Sequence, residues 1–172
     1  MKGYLVYGIL LVFSVILVYA CKKPVKYPET PSIEFTSFEQ KDTIDNPDLQ
    51  NEVLMGILKF SFIDGDGDLG LSQEDTLAPY DTSSVYHYNL YIDMYEMKDG
   101  VWEPVDLVVP LAYRTPRVVA TGQNKTLKGW IITRLFYNYP VKYDTVRYDF
   151  FIYDRALNKS NAATSGPIIL GN

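Results

Sequence analysis

Residues 60–71 read FSFIDGDGDLGL, which sets Asp64, Asp66 and Asp68 at every second position with glycines between them, directly behind an apolar run. Carboxylates that alternate along a tight loop can turn toward one centre, and calcium takes six to eight oxygens at about 2.3–2.6 Å. The three aspartates fall at positions 1, 3 and 5 of the familiar calcium-loop pattern, and Asp75 falls at position 12, where glutamate is usual. Leu69 stands at position 6 where that pattern wants glycine, and the segment before the loop reads as a strand, so this is not an EF-hand. A metal-free reading competes. Aspartates cap turns by accepting backbone N–H bonds, and Gly65, Gly67 and Gly70 permit positive φ. Against it, three carboxylates within five residues repel unless a positive charge or solvent lies between them.

A second polar stretch, DRALNKSN at 154–161, supplies Asp154, Asn158 and Asn161 as oxygen donors and Arg155 and Lys159 as cations. The expected strand order brings its loop to the same end as the aspartate loop. There it would complete an oxygen cage or neutralise the aspartates with ion pairs. Catalytic chemistry has little to work with. The chain holds one histidine, His87, in a tyrosine-rich stretch that reads as a surface strand, and the expectation is a protein that is not an enzyme. Fifteen tyrosines offer another chemistry. In 84–97, Tyr86, Tyr88, Leu90, Ile92 and Met94 alternate toward the core. His87, Asn89, Tyr91, Asp93 and Tyr95 share the other face, where Tyr91 and Tyr95 could stack on sugar rings. Tyrosine also simply suits a half-buried pleated surface.

These residues must be carried by strands. Beyond residue 32 apolar positions recur with a period near two, and turn signals interrupt at short intervals, an all-β pattern. Strands are expected at 33–40, 53–63, 84–97, 101–107, 128–136, 145–154 and 165–170, with Asp99-Gly100 as a tight type I′ hairpin turn. About seven strands suggest a sandwich. In YDTVRYDF, Asp144, Tyr148 and Phe150 resemble the entry to strand F of immunoglobulin domains, with Tyr148 as a tyrosine corner and Phe150 in the cysteine's place. The simpler reading is an alternating strand with Val146, Tyr148, Phe150 and Ile152 inward.

The remaining residues bear on location. Lys2 is followed by residues 3–20 without a charge and then by Cys21, the only cysteine of the 172 residues. That is the build of an export signal, 1–20, and Val18-Tyr19-Ala20-Cys21 resembles the lipobox of bacterial lipoproteins, which implies lipid on Cys21. About 18 apolar residues can also just span a bilayer, so an uncleaved anchor is the competing reading. Residues 21–32 carry three prolines and three lysines and read as an extended tether, leaving 33–172 as one domain. A single cysteine allows no internal disulfide. The net charge of −5 and the lack of a basic, aromatic patch exclude nucleic acid as an expected partner.

Lipobox, FSFIDGDGDLGL and DRALNKSN together resemble a group of Bacteroidota lipoproteins with one immunoglobulin-like domain and no settled function. The resemblance implies an immunoglobulin-like β-sandwich and an outer-membrane location, facing the periplasm or the cell surface. The functional expectation is a lipid-anchored envelope module for binding or assembly with a weak calcium site. The alternatives are glycan binding on the tyrosine face and a purely structural scaffold.

Overall fold

The computed structural model describes residues 25–46, 48–121 and 123–171. The expected export signal and Cys21 lie outside the described residues. These residues form nine strands and no helix, arranged as a β-sandwich of two antiparallel sheets. One sheet runs β1 (Ser32–Asn46), β2 (Asn51–Asp64), β6 (Leu127–Asn138). The other runs β4 (Val101–Pro104), β3 (Leu90–Lys98), β7 (Thr145–Ile152), β8 (Ala163–Thr164). In addition β5 (Leu111–Tyr113) pairs with β3 and β9 (Ile168–Ile169) with β7. The two strands beyond the expected seven have local causes. β8 lies just before the expected last strand and is set off from β9 by Gly166-Pro167, and β5 is a short edge piece within the irregular 108–127.

The alternation of β2 and β7 builds the core. On β2 the even-numbered Leu54, Leu58, Phe60 and Phe62 point inward, and on β7 Val146, Tyr148, Phe150 and Ile152 do so, all buried. The sheets meet where Phe60 packs on Phe150, ring centroids 4.9 Å apart. Tyr148 belongs to this row. Its ring stacks on Phe38 at 5.4 Å and its hydroxyl bonds that of Tyr137 on β6, across the sandwich. A tyrosine corner would bond backbone upstream, so that expectation gives way to the simple alternating strand. Phe38 fits because Gly56 leaves it room: a Cβ there would lie 2.4 Å from the ring.

The hairpin at Asp99-Gly100 forms as expected, with φ of 50° and 81° and Lys98 paired to Val101. The strand expected over 84–97 does not begin until Leu90. Upstream, short polar side chains bond the backbone and wind it into turns: Asp81 accepts from the Ser83 N–H at 3.1 Å and Ser84 Oγ from the Tyr86 N–H at 3.0 Å. This local bonding competes with a sheet ladder and wins over the β preference of the tyrosines. Asn89, expected on the solvated face, is buried, exchanging hydrogen bonds with Thr115, and Tyr88, expected in the core, is exposed. His87 is half-buried among these turns, not on a strand.

Candidate metal centre at the loop end

Two strands run off the same end of the sandwich with an aspartate in the next inward position. On β2 the row Leu58, Phe60, Phe62 continues to Asp64. On β7 the row Tyr148, Phe150, Ile152 continues to Asp154. Both aspartates are buried, Asp64 with no exposed surface at all. The loops that follow are joined by a bridge between Leu69 and Asp154.

Within the DGDGDLG loop, one carboxylate oxygen from each of Asp64, Asp66 and Asp68 lies within 4.8 Å of the others. Asp64 Oδ2 accepts the Leu69 N–H at 3.0 Å, which folds the loop back on itself. Its Oδ1, with Oδ1 of Asp66 and Oδ1 of Asp68, is sealed from solvent and has no hydrogen-bond partner. A buried acceptor without a donor costs roughly 1–3 kcal/mol, more when charged, so three in one place is an unusual concentration of unmet demand. Burial first, and the adjoining Asp66 carboxyl next, push the Asp64 carboxyl up to about 7. Burial likewise raises Asp68, helped by the charges of Asp154 and Asp66, while the backbone N–H groups of Ala156 and Arg155 pull it down. Asp154 is raised chiefly by burial.

The loop is shaped by close backbone approach. The Gly65 N–H donates to Pro28 O at 3.0 Å, and a Cβ on Gly65 would lie 2.2 Å from that oxygen. Gly67 has φ of +73°, and a Cβ there would collide with Lys125 O. The glycines are therefore needed to pack the loop between residues 27–28 and the segment before β6, whatever the aspartates bind.

The other expected site residues divide. Asn158 stands beside Asp154, its backbone N–H donating to Oδ1 at 2.7 Å and its Nδ2 to Oδ2 at 2.8 Å, so it orients that carboxylate and turns a donor toward it. Asp75 is not part of the cluster. It is ion-paired with Arg155 and accepts the Ser72 N–H at 2.7 Å, and the Arg155 hydrogen bond holds its carboxyl down at about 2. Asn161 lies elsewhere, its side chain bonding both N–H and C=O of Ile33 on β1. Lys159 sits over the Phe151 ring, 3.6 Å from its centroid. Among the described residues no ion pair reaches Asp64, Asp66, Asp68 or Asp154. Neutralisation by Arg155 or Lys159 thus gives way to an arrangement of acids facing one another.

Tyr91 and Tyr95 lie on the outer side of β3 with their rings already engaged. Tyr91 stacks on Phe151 at 5.4 Å and donates its hydroxyl to Val85 O, and Arg147 lies over Tyr95 at 4.7 Å and over Trp102 at 5.0 Å. Sequence reasoning missed Arg114. Its guanidinium donates to His87 O at 2.7 Å, Ser72 O at 3.0 Å and Asp75 O at 2.9 Å, tying the exit of the aspartate loop to the turns before β3. An arginine in an irregular segment gives no pattern that would reveal this. Compared with protein-family models, curated proteins and solved structures, the chain matches none.

Proposed function

We propose that this chain is a cell-envelope binding or assembly module, held to the membrane by lipid on Cys21, whose loop end is organised by a calcium ion. The observation that carries the reading is the set of three sealed, unpartnered oxygens on Asp64, Asp66 and Asp68, with the charge of buried Asp154 acting on Asp68. An all-oxygen, all-carboxylate donor set favours a hard divalent cation. Calcium suits such a set, since it takes six to eight oxygens in flexible geometry, whereas magnesium demands a near-ideal octahedron and keeps several of its waters. Asp64, Asp66 and Asp68 would be ligands, Asp154 a fourth carboxylate, and Asn158 the residue that positions it. Bound there, the ion would neutralise the repulsion and fix the two loops as one surface.

The test is a thermal melt of the full chain in chelator and then in millimolar calcium, beside the same pair for Asp66→Ala. Calcium should raise the wild-type melting temperature by several degrees and leave the variant unmoved, as expected of a ligand that binds only the folded state. A wild type that ignores calcium, or a variant that responds equally, sinks the reading. The anchor is tested separately by membrane attachment of Cys21→Ser, which should be lost.

A further inference from the structure

Most sheet edges of this sandwich are short or blunted. β4, β5, β8 and β9 span two to four residues each. β1 is long, but Asn161 occupies both backbone groups of Ile33, a bulge falls between Phe35 and Ser37, and Gln40 Nε2 reaches Ile169 O at 2.7 Å. β6 is different. It spans Leu127–Asn138, pairs with β2 on one side only, and among the described residues receives no backbone hydrogen bond on the other. Such an edge presents a row of unused N–H and C=O groups. Its outward row sets Lys128 and Arg134 among large apolar side chains open to solvent, with Trp130 65%, Ile132 54% and Phe136 51% exposed. Two grooves flank it. One of about 200 Å³ is lined by Pro116, Val118, Trp130 and Ile132, and one of about 770 Å³ by Val109, Leu111, Phe136 and Tyr143 with Arg134 and Lys142.

Along β6 itself and in the walls of the two grooves the charge has one sign. None of the 21 acidic residues falls within 107–143, a stretch that carries Arg114, Arg117, Lys125, Lys128, Arg134 and Lys142 in a chain of net charge −5. Neither groove has an acidic residue in its wall. Two copies joined edge to edge here would bring cation against cation. We infer that β6 is a docking edge for an extended segment of a partner protein that alternates apolar and acidic residues, adding a strand whose apolar side chains fill the two grooves and whose carboxylates meet Lys128, Arg134 and Lys142. This mode takes affinity from main-chain hydrogen bonds and selectivity from alternate side-chain pockets.

The probe is a fluorescein-labelled ten-residue peptide of alternating valine and glutamate, titrated with the full chain by anisotropy. Two further versions carry N-methyl groups on alternate amides, one on the valines and one on the glutamates, because an added strand turns only one of those sets toward β6. One methylated series should lose about tenfold or more in affinity while the other stays within about twofold, the sign of main-chain pairing. A valine–lysine peptide should bind at least about tenfold more weakly, as like charges meet. Trp130→Ala and Phe136→Ala, both at exposed positions and checked by their melts, should each weaken binding. The proposal is overturned if the valine–glutamate peptide does not bind, if the methylated series behave alike, or if the lysine peptide binds as well. It is also overturned if oligo-glutamate without valine competes equally, which would make the surface a simple polyanion site. A dimer in sedimentation that Phe136→Glu dissociates would assign the edge to a second copy instead.

Discussion

Phe60 and Phe150 in the middle of the sandwich, and Asp64 and Asp154 at its end, occupy the same two rows of inward positions, four residues apart along β2 and along β7 and its continuation. In the middle, burial stabilises: each ring taken out of water contributes about 2–3 kcal/mol. At the end the same burial works against the fold, because an ionised carboxylate loses its hydration, and the Asp64 carboxyl responds by rising to about 7. The backbone does the same thing in both places. The residue type alone turns one end of a core into a candidate ligand cage.

The contrast is broken most severely in the middle. Phe150→Ala removes the ring that joins the sheets and should cost about 3–5 kcal/mol, read as a lower urea midpoint with an unchanged slope. A loss below about 1 kcal/mol would mean that the sheets are not held by this pair.

At the end the sign should invert. The Asp64 carboxyl has its folded value raised, from 3.8 to about 7, so its stabilising contribution is complete below 3.8 and lost as pH climbs through about 7. Asp68 and Asp154 shift the same way. In chelator the wild type should therefore melt lower at pH 8 than at pH 5, and calcium, which holds the carboxylates ionised, should remove that slope. Asp64→Asn keeps an acceptor for the Leu69 N–H and removes the charge. In chelator at pH 8 it should gain on the order of 2 kcal/mol and lose its calcium response. A variant less stable than wild type under those conditions would show that the buried charge is already met.

The smallest effect is expected at Asp75, an aspartate of the same loop region with a cation beside it. Its carboxyl is lowered to about 2 by Arg155, so its contribution is present above 3.8 and lost as pH falls through about 2. The pair is partly solvated, so Asp75→Asn should cost only about 0.5–1 kcal/mol at pH 7, with the calcium shift intact. Loss of the calcium shift in that variant would join Asp75 to the cluster after all.

Much of this end was readable in the sequence, and one part more fully than the motif alone suggests. The period of two that makes Phe60 and Phe62 inward also makes Asp64 inward, and the same holds from Phe150 through Ile152 to Asp154. Residues that look like loop punctuation are thus the last places of two core rows. What position counting could not reveal is the partner of Asp75. Its place in a calcium-loop pattern assumes a continuous loop geometry, whereas the chain turns away after Leu71 and Arg155 comes from the opposite sheet's loop to meet it. The tyrosines of 84–89 misled for a similar reason, since strand preference is weak beside the Asp81 and Ser84 turns that bond the backbone locally. Arg114, which ties together three carbonyls distant in sequence, belongs to long-range packing that no local pattern encodes.

The contact between Pro28 and Gly65 also has a mechanical side. The chain enters the domain past the aspartate loop, with Tyr27 under Lys128 at 3.6 Å and the Pro28 carbonyl on the Gly65 N–H, before it joins β1 at Ser32. A pull on the residues leading into the domain would load that one hydrogen bond and the loop behind it before it strained the long β1–β2 ladder. The stiffness of a few glycines and aspartates would then decide how far the sandwich swings when the residues before Ser32 are pulled.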